Sequence, residues 1–492
     1  MQDSTVGAGN KHKWLVFAGP LLCLFISQIP SPDPYYPTLS LMMGITAWMA
    51  LWWITEAVHI AVTAFIPFIF LPATGIADIK VVSAQYMDPV LFLFIGGFLL
   101  AFAIEKWGLH RRLALSILSS SGHTASNILL GIMFTSFLIS MWISNTATVM
   151  MLLSAVLAII HQLREHLGAT ETHRKVSTAL LIGLAYSASI GGMSTLVGTP
   201  TNMIFYRAYN EQFAAQHPIH FSDWMLMAFP MALCLLMMTW LIIRMTLLNR
   251  LGKIPFNKSI FKEQRKNLGA WNRDEKVVAV IFIATAVLWF TRADMEIGNR
   301  LFRGWAGYLP FPQQIQDSSI AIFMAMLLFF IPSSTEKNRN LLEWKEASRL
   351  PYEIILLFGS GFALAKGFET SGLSNWLALH LHGLKNVSPV YVVLVICMVV
   401  TVISEFASNV ASIQLVLPIL ISLQSVTQSD PRIFMVPAAL AASLGFMLPV
   451  ATAPNTIVFS GGQIRVKEMV IAGLLVDLAG ILLITLSVFF YI

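Results

Sequence analysis

The sequence predicts an all-α polytopic membrane protein built from two inverted-topology repeats, and three observations carry that class. Hydrophobic residues make up 57% of the 492 positions and charged residues 11%, with a mean hydropathy of +0.73; a soluble chain carries roughly 25% charged residues. Several apolar stretches approach or exceed the roughly 17–25 residues with which a helix spans a bilayer. Two peptides also recur: SMWISNTATVMML, holding Ser144-Asn145-Thr146, and SEFASNVASIQLV, holding Ser408-Asn409-Val410, lie 264 positions apart. The same offset relates residues 94–114 to 358–378, where Gly97/Gly361, Phe98/Phe362, Glu105/Glu369 and Gly108/Gly372 are identical pairs. One half of the chain copies the other, and each copy keeps a small polar tripeptide inside an apolar run. In a membrane protein that is the look of a binding site shared between two repeats.

The elements follow in chain order. Residues 14–30 come after Lys11 and Lys13 and lack a small-residue cleavage site, so they read as a retained span and not a signal peptide. Residues 58–76, 224–248, 276–290 and 469–492 are further spans; 320–331 is shorter and spans only with its polar flanks. The stretch 127–162 differs from these. Its polar Ser-Asn-Thr falls near the middle, which leaves each arm roughly 25 Å long, short of a comfortable crossing. Its flanks, at Lys106–Arg112 and Arg164–Lys175, are both basic. A re-entrant hairpin that enters and leaves on the cytoplasmic side satisfies both facts. The copy at 389–423 then enters from the outer side, because an odd number of spans separates the two. Irregular backbone at membrane depth must be buried in protein or line a wet cavity, so both tips are expected near the midplane.

A second interrupted helix follows each hairpin. Within 178–207 the sequence reads SIGGMSTLVGTPTNMIFY, with Gly198-Thr199-Pro200-Thr201-Asn202; within 434–460 it reads SLGFMLPVATAPNTIVFS, with Ala451-Thr452-Ala453-Pro454-Asn455. Asn202/Asn455 and Ile204/Ile457 match at an offset of 253. Proline removes a helical hydrogen bond and clashes with the preceding turn. The broken helix offers free carbonyls to a cation from one arm and free N–H groups to an anion from the other.

The net charge of +6 is a matter of topology, not of nucleic-acid binding. With the N-terminus cytoplasmic, eight of the 31 Lys and Arg fall outside (Lys80, Arg207, Arg292, Arg300, Arg303, Lys366, Lys385 and Arg432). The other 23 fall inside, many of them in the loop 249–276 with Arg250, Lys253, Lys258, Lys262, Arg265 and Lys266. Cys23, Cys234 and Cys397 have unrelated spacing and imply neither a disulfide nor a metal site. Glu405 is the exception among scattered polar groups, since an intramembrane carboxylate suggests function. It either shapes the outer hairpin or transfers protons, and its repeat counterpart is Met141. An intramembrane enzyme would need paired carboxylates, a His cluster or a Ser/Lys dyad at membrane depth, and only Glu405 is there; no enzymatic activity is expected.

At these motifs, from WWITEAVHIAVTA at Trp52 to FMLPVATAPNTIVFSGG at Phe446, and above all in AYSASIGGMSTLVGTPTN at Ala185–Asn202, the chain resembles the divalent anion/sodium symporters, the INDY-type dicarboxylate transporters. The resemblance implies about eleven transmembrane helices plus the two opposed hairpins, in a homodimer in the cell (inner) membrane. It implies N-terminal scaffold helices over 1–89, a transport part over 90–222, further scaffold over 223–351, a second transport part over 352–466 and a C-terminal helix over 467–492. An elevator-type motion would carry the site across. The first sodium site would comprise Ser140, Ser144, Asn145 and Gly198, and the second Ser404, Ala407, Asn409 and Ala451, several through backbone carbonyls. The substrate carboxylates of succinate, malate or fumarate would meet Asn145, Thr146, Thr199, Asn409, Val410 and Thr452. Na⁺ would be the coupling ion, with no organic cofactor. Val410 replaces the third residue of the Ser-Asn-Thr signature, and Ala453 stands where proline is usual. A sodium-independent dicarboxylate exchanger and a carrier for citrate or sulfate are the alternatives within the class, and a channel on the same sites is another.

Overall fold

The computed structural model describes residues 13–120, 124–168, 170–215, 218–249, 263, 265–297 and 300–490. Of the basic residues weighed above, Lys11, Arg250, Lys253, Lys258 and Lys262 lie outside them. The described chain is helical almost throughout. A two-stranded antiparallel ladder, Met295–Ile297 with Arg300–Phe302, is an addition the sequence did not suggest. Among the described residues six helices are long and apolar enough to cross a membrane: Ile79–Lys106, Asn145–Glu165, Phe221–Leu248, Pro389–Phe406, Asn409–Thr427 and Val466–Ser487. Shorter apolar helices accompany them, including Leu39–Thr55, Ala125–Ser140 and Asp317–Phe330.

The stretch expected as one span at 58–76 forms two short helices instead, Ile60–Thr63 and Ile66–Ala73. Pro67 lies in the first turn of the second helix, where its missing N–H costs nothing, and so it starts a helix and does not continue one. The second arm of the first hairpin also runs longer than expected, Asn145–Leu167, or about 35 Å at 1.5 Å per residue. The added residues past 162 include Arg164 and Glu165, so they extend the arm with polar surface.

The described residues fall into two compact units. One is drawn from Met1–Asp88, Pro351–Ala442 and Thr485–Ile492, the other from Pro89–Leu350 and Ser443–Ile484. In the first unit the core gathers Leu39, Met42, Ile45, Met49 and Trp53 with Leu357, Leu364 and Phe368. Small residues let its helices approach closely. A Cβ at Gly44 would lie 2.8 Å from the Cys23 carbonyl, and one at Gly367 2.7 Å from the Met42 methyl.

The second unit is organised around helix Glu171–Gly192, buried on every side from Val176 onward. It lies along Ala125–Ser140, the first arm of the first hairpin, with Gly183 against Leu129 and Gly191 against the Phe137 backbone. The Tyr186 hydroxyl donates to the Phe446 carbonyl at 2.5 Å and so fastens the helix to the approach of the second break. Charged groups are paired at the helix ends. Arg174 bridges Glu171 and Glu468, Lys106 meets Glu346 at 2.9 Å, and Arg292 holds Asp317 at 2.5 Å.

Candidate functional site

In the first hairpin the helix Ala125–Ser140 ends, Met141–Ile143 turn, and Ser144 caps the helix that starts at Asn145. The Ser144 hydroxyl accepts from Ala147 N at 3.3 Å, which frees the tripeptide from a continuous helix. The Ser140 hydroxyl donates to Asn145 Oδ1 at 2.7 Å, across the tip. The second hairpin repeats this construction. Ser408 caps the helix Asn409–Thr427 by accepting from Ala411 N at 3.2 Å, and Ser404 Oγ lies 2.8 Å from Asn409 Oδ1. The repeated sequence therefore encodes a repeated hydrogen-bond pattern, not only a repeated helix length.

The first break separates two helices. Helix Glu171–Gly192 stops, and Pro200–Phe213 starts after Thr199, which is extended (φ −145°, ψ 144°) and buried. The Asn202 amide spans the gap, donating to the carbonyls of Gly192 (3.0 Å), Met193 (3.3 Å) and Thr195 (2.7 Å). The Thr195 hydroxyl donates to the Met141 carbonyl at 2.5 Å and accepts from Gly198 N at 3.1 Å, tying hairpin tip to break. Gly192 and Gly198 have no room for side chains. A Cβ on Gly192 would lie 2.5 Å from Asn145 Oδ1 and 3.1 Å from the Gly198 carbonyl; one on Gly198 would lie 2.5 Å from the Gly192 carbonyl.

The structure therefore brings Ser140, Asn145 and Gly198 together, with Ser144 and Thr146 on the same tip. Their hydroxyl, amide and carbonyl oxygens make a hard, uncharged donor set of the kind that suits Na⁺. Among the described residues no group of three or more His, Cys, Asp or Glu is placed to hold a metal ion, so this oxygen chemistry does not compete with a transition-metal site.

The second break runs from Ala442 to Thr452, and Ala453–Ser460 follows. Thr452 is extended, and its hydroxyl accepts from Asn455 N at 3.3 Å; Thr199, its counterpart, makes no such cap bond. Asn455 repeats the role of Asn202, donating to Gly445 O at 3.0 Å and Leu448 O at 3.1 Å. Ala451 and Thr452 belong to one compact unit, while Ser404, Ala407, Asn409 and Val410 belong to the other, where Ser404 Oγ also donates to Ala442 O at 2.7 Å. Val410 packs against the apolar core of its own unit, and Glu405 beside Ser404 is fully buried.

Four positioning residues lie outside the expected site set. Gly192 and Thr195 gave no sequence signal. Asn202 and Asn455 did, as an identical pair, but their side-chain clamp needed coordinates.

Over residues 10–492 the chain matches the family described as the sodium:sulfate symporter transmembrane region. It belongs to this family, the divalent anion/sodium symporters. The symporter is 39% identical over 480 residues to the sodium-dependent dicarboxylate transporter SdcS of Staphylococcus saprophyticus, covering 96% of this chain and 90% of that protein. It is 39% identical over 477 residues to SdcS of Staphylococcus aureus (strain NCTC 8325), covering 96% and 89%. Among solved structures it shares a fold with Neisseria gonorrhoeae MtrF (TM-score 0.57, 14% identity, 98% and 96% covered). It shares one also with the Alcanivorax borkumensis YdaH transporter (TM-score 0.54, 14% identity, 97% of each chain). The symporter is thus an integral, multi-pass membrane protein.

Proposed function

We propose that the chain is a secondary active symporter that moves divalent carboxylates such as succinate, malate or fumarate together with Na⁺. The observation that carries the reading is the first hairpin tip, where Ser140 and Asn145 converge with the Gly198 carbonyl beside the free helix start at Thr199. The reading agrees with the staphylococcal relatives, which are named sodium-dependent dicarboxylate transporters. Carboxylates are held by Asn145, Thr146, Thr199, Asn409 and Thr452, with Val410 at the same tip as Asn409. Sodium is held at Ser140, Ser144, Asn145 and Gly198, and again at Ser404, Ala407, Asn409 and Ala451.

No Lys or Arg lies in these motifs, so bound cations, helix N-termini and amide or hydroxyl donors balance the dianion. Moving one charge across 100 mV costs about 2.3 kcal/mol, and a dianion driven inward meets about twice that. Two sodium ions make the cycle neutral, and a third makes the potential favour uptake. The carrier works as a homodimer in the cell membrane with its N-terminus cytoplasmic. Transport parts at 90–222 and 352–466 move against scaffold helices at 1–89 and 223–351 in an elevator-type cycle, without catalysis or organic cofactor.

The test is uptake of labelled succinate into proteoliposomes under a sodium gradient, with malate, fumarate, citrate and sulfate as competitors. Uptake should vanish when choline replaces sodium, and in Asn145→Ala and Asn409→Ala. Equal uptake in choline would refute sodium coupling. The family's sulfate description favours one second reading, a sulfate carrier, and competition by sulfate but not by succinate would select it.

A further inference from the structure

A partly open apolar chamber of about 350 Å³ in the second unit does not contain the Ser-Asn tip but lies beside it, lined by Trp142 and Ile143. Its walls are Leu138, Trp142 and Ile143 from the first hairpin, Leu113 from helix Leu109–Ser120, and Phe282 and Ile283 from helix Arg273–Phe290. Trp142 stands edge-on to Phe282, with ring centroids 5.1 Å apart. Leu113 and Ile283 are exposed, so the chamber opens sideways through apolar residues. Its size falls in the range of small-molecule pockets, roughly 300–1,000 Å³.

One end of the chamber is cationic. Arg112 is already committed: it donates to Glu275 at 2.9 Å and to the carbonyls of Leu268, Gly269 and Ala270. Arg265 is not. Among the described residues its guanidinium makes a single hydrogen bond, 3.4 Å to Ser119 Oγ, and no ion pair. An apolar chamber whose mouth carries a cation with no ion-pair partner among the described residues selects a particular ligand chemistry. A small inorganic anion would leave the walls unused, and a neutral chain would leave Arg265 unused.

We propose that this chamber binds a single-chain anionic amphiphile of the fatty-acid type, with its carboxylate on Arg265 and its chain between Trp142, Phe282 and Ile283. The site concerns neither the sodium nor the dicarboxylate ligands, and its test does not depend on the transport reading. The purified full chain in dodecyl maltoside is irradiated with a diazirine-bearing palmitate, and adducts are mapped by mass spectrometry. Adducts should concentrate on the peptides carrying Trp142 and Ile283, and palmitate should compete where hexadecanol and inorganic sulfate do not. Arg265→Ala, at an exposed position, should cut labelling about tenfold, the effect of losing one charge-assisted hydrogen bond. Ala279→Phe, which fills the chamber, should abolish it. Adducts spread evenly over the lipid-facing helices, equal competition by hexadecanol, or full labelling of Arg265→Ala would overturn the proposal.

Discussion

Gly192 and Gly198 press on each other, yet alanine at the two positions should fail in different ways. A methyl on Gly192 meets Asn145 Oδ1 at 2.5 Å, the far end of a side chain that can rotate away, and the Gly198 carbonyl at 3.1 Å, which need give by only a few tenths of an ångström. Rotation breaks the bond from Ser140 and removes one oxygen from the proposed cation site. Losing one hydrogen-bonding partner of a charged species costs about 1.5–3 kcal/mol, which corresponds to roughly 10–150-fold in affinity. A methyl on Gly198 meets the Gly192 carbonyl at 2.5 Å and its Cα at 2.9 Å. That is backbone, which Asn202 holds in place, so the overlap strains the fold by about 1–3 kcal/mol. Gly192→Ala should therefore fold with a near-normal melting temperature and raise the sodium concentration for half-maximal succinate uptake by at least about tenfold. Gly198→Ala should melt several degrees lower in sodium-free buffer. A bound ion stabilises by RT ln(1 + [L]/Kd), so the sodium-induced rise in melting temperature gives an independent reading of affinity. A Gly192→Ala protein with unchanged sodium dependence in both assays would refute the geometry of the first site.

Three further outcomes are expected. Asn202→Leu leaves the Gly192, Met193 and Thr195 carbonyls without their shared donor and should destabilise the protein by at least about 1–3 kcal/mol, read as a lowered melting temperature. Asp274, ahead of the span at 276–290, is buried, which alone would raise its carboxyl; the backbone N–H of Ser334 and the hydroxyls of Ser333, Thr335 and Ser334 outweigh this and hold it well below the usual carboxylate range. Its stabilisation is thus complete above the unfolded value of about 3.9 and is lost as pH falls toward the depressed folded value, so Asp274→Asn should lower the melting temperature at pH 7 and flatten its acid dependence. Val410→Thr places a hydroxyl against an apolar core and should cost about 1 kcal/mol of stability, with little gain in succinate affinity; a large gain would place residue 410 at the ligand.

Much of this was legible in the sequence because its signals are local. Ser144 and Ser408 cap helices, Pro200 and Pro454 start them, and each such signal depends on a few neighbouring residues. The hairpin tips and helix breaks could therefore be placed to within a few residues. Contacts across long sequence separations were not legible. Thr195 reaches the Met141 carbonyl 54 positions away, and Tyr186 reaches Phe446 across 260. No spacing rule announces such bonds. The division of 58–76 into two short helices was missed for a different reason: hydropathy averages over a window and does not register that Pro67 sits where a helix starts.

The two repeats agree where a cation would bind and differ where an anion would. At both tips a serine hydroxyl lies within 2.8 Å of the asparagine Oδ1 five residues on, and at both breaks an asparagine amide holds the carbonyls in place. A cation needs converging oxygens alone, and duplication supplies that set twice. An anion needs donors, and these are unequal: Thr146 has a hydroxyl where Val410 has a methyl committed to the core, and Thr452 spends its oxygen on a helix cap while Thr199 does not. On the proposed assignment, the two identical carboxylates of a diacid would meet unlike donors. Shortening or lengthening the diacid by one methylene should change affinity more than exchanging succinate for fumarate, and a competition series against labelled succinate measures that order directly.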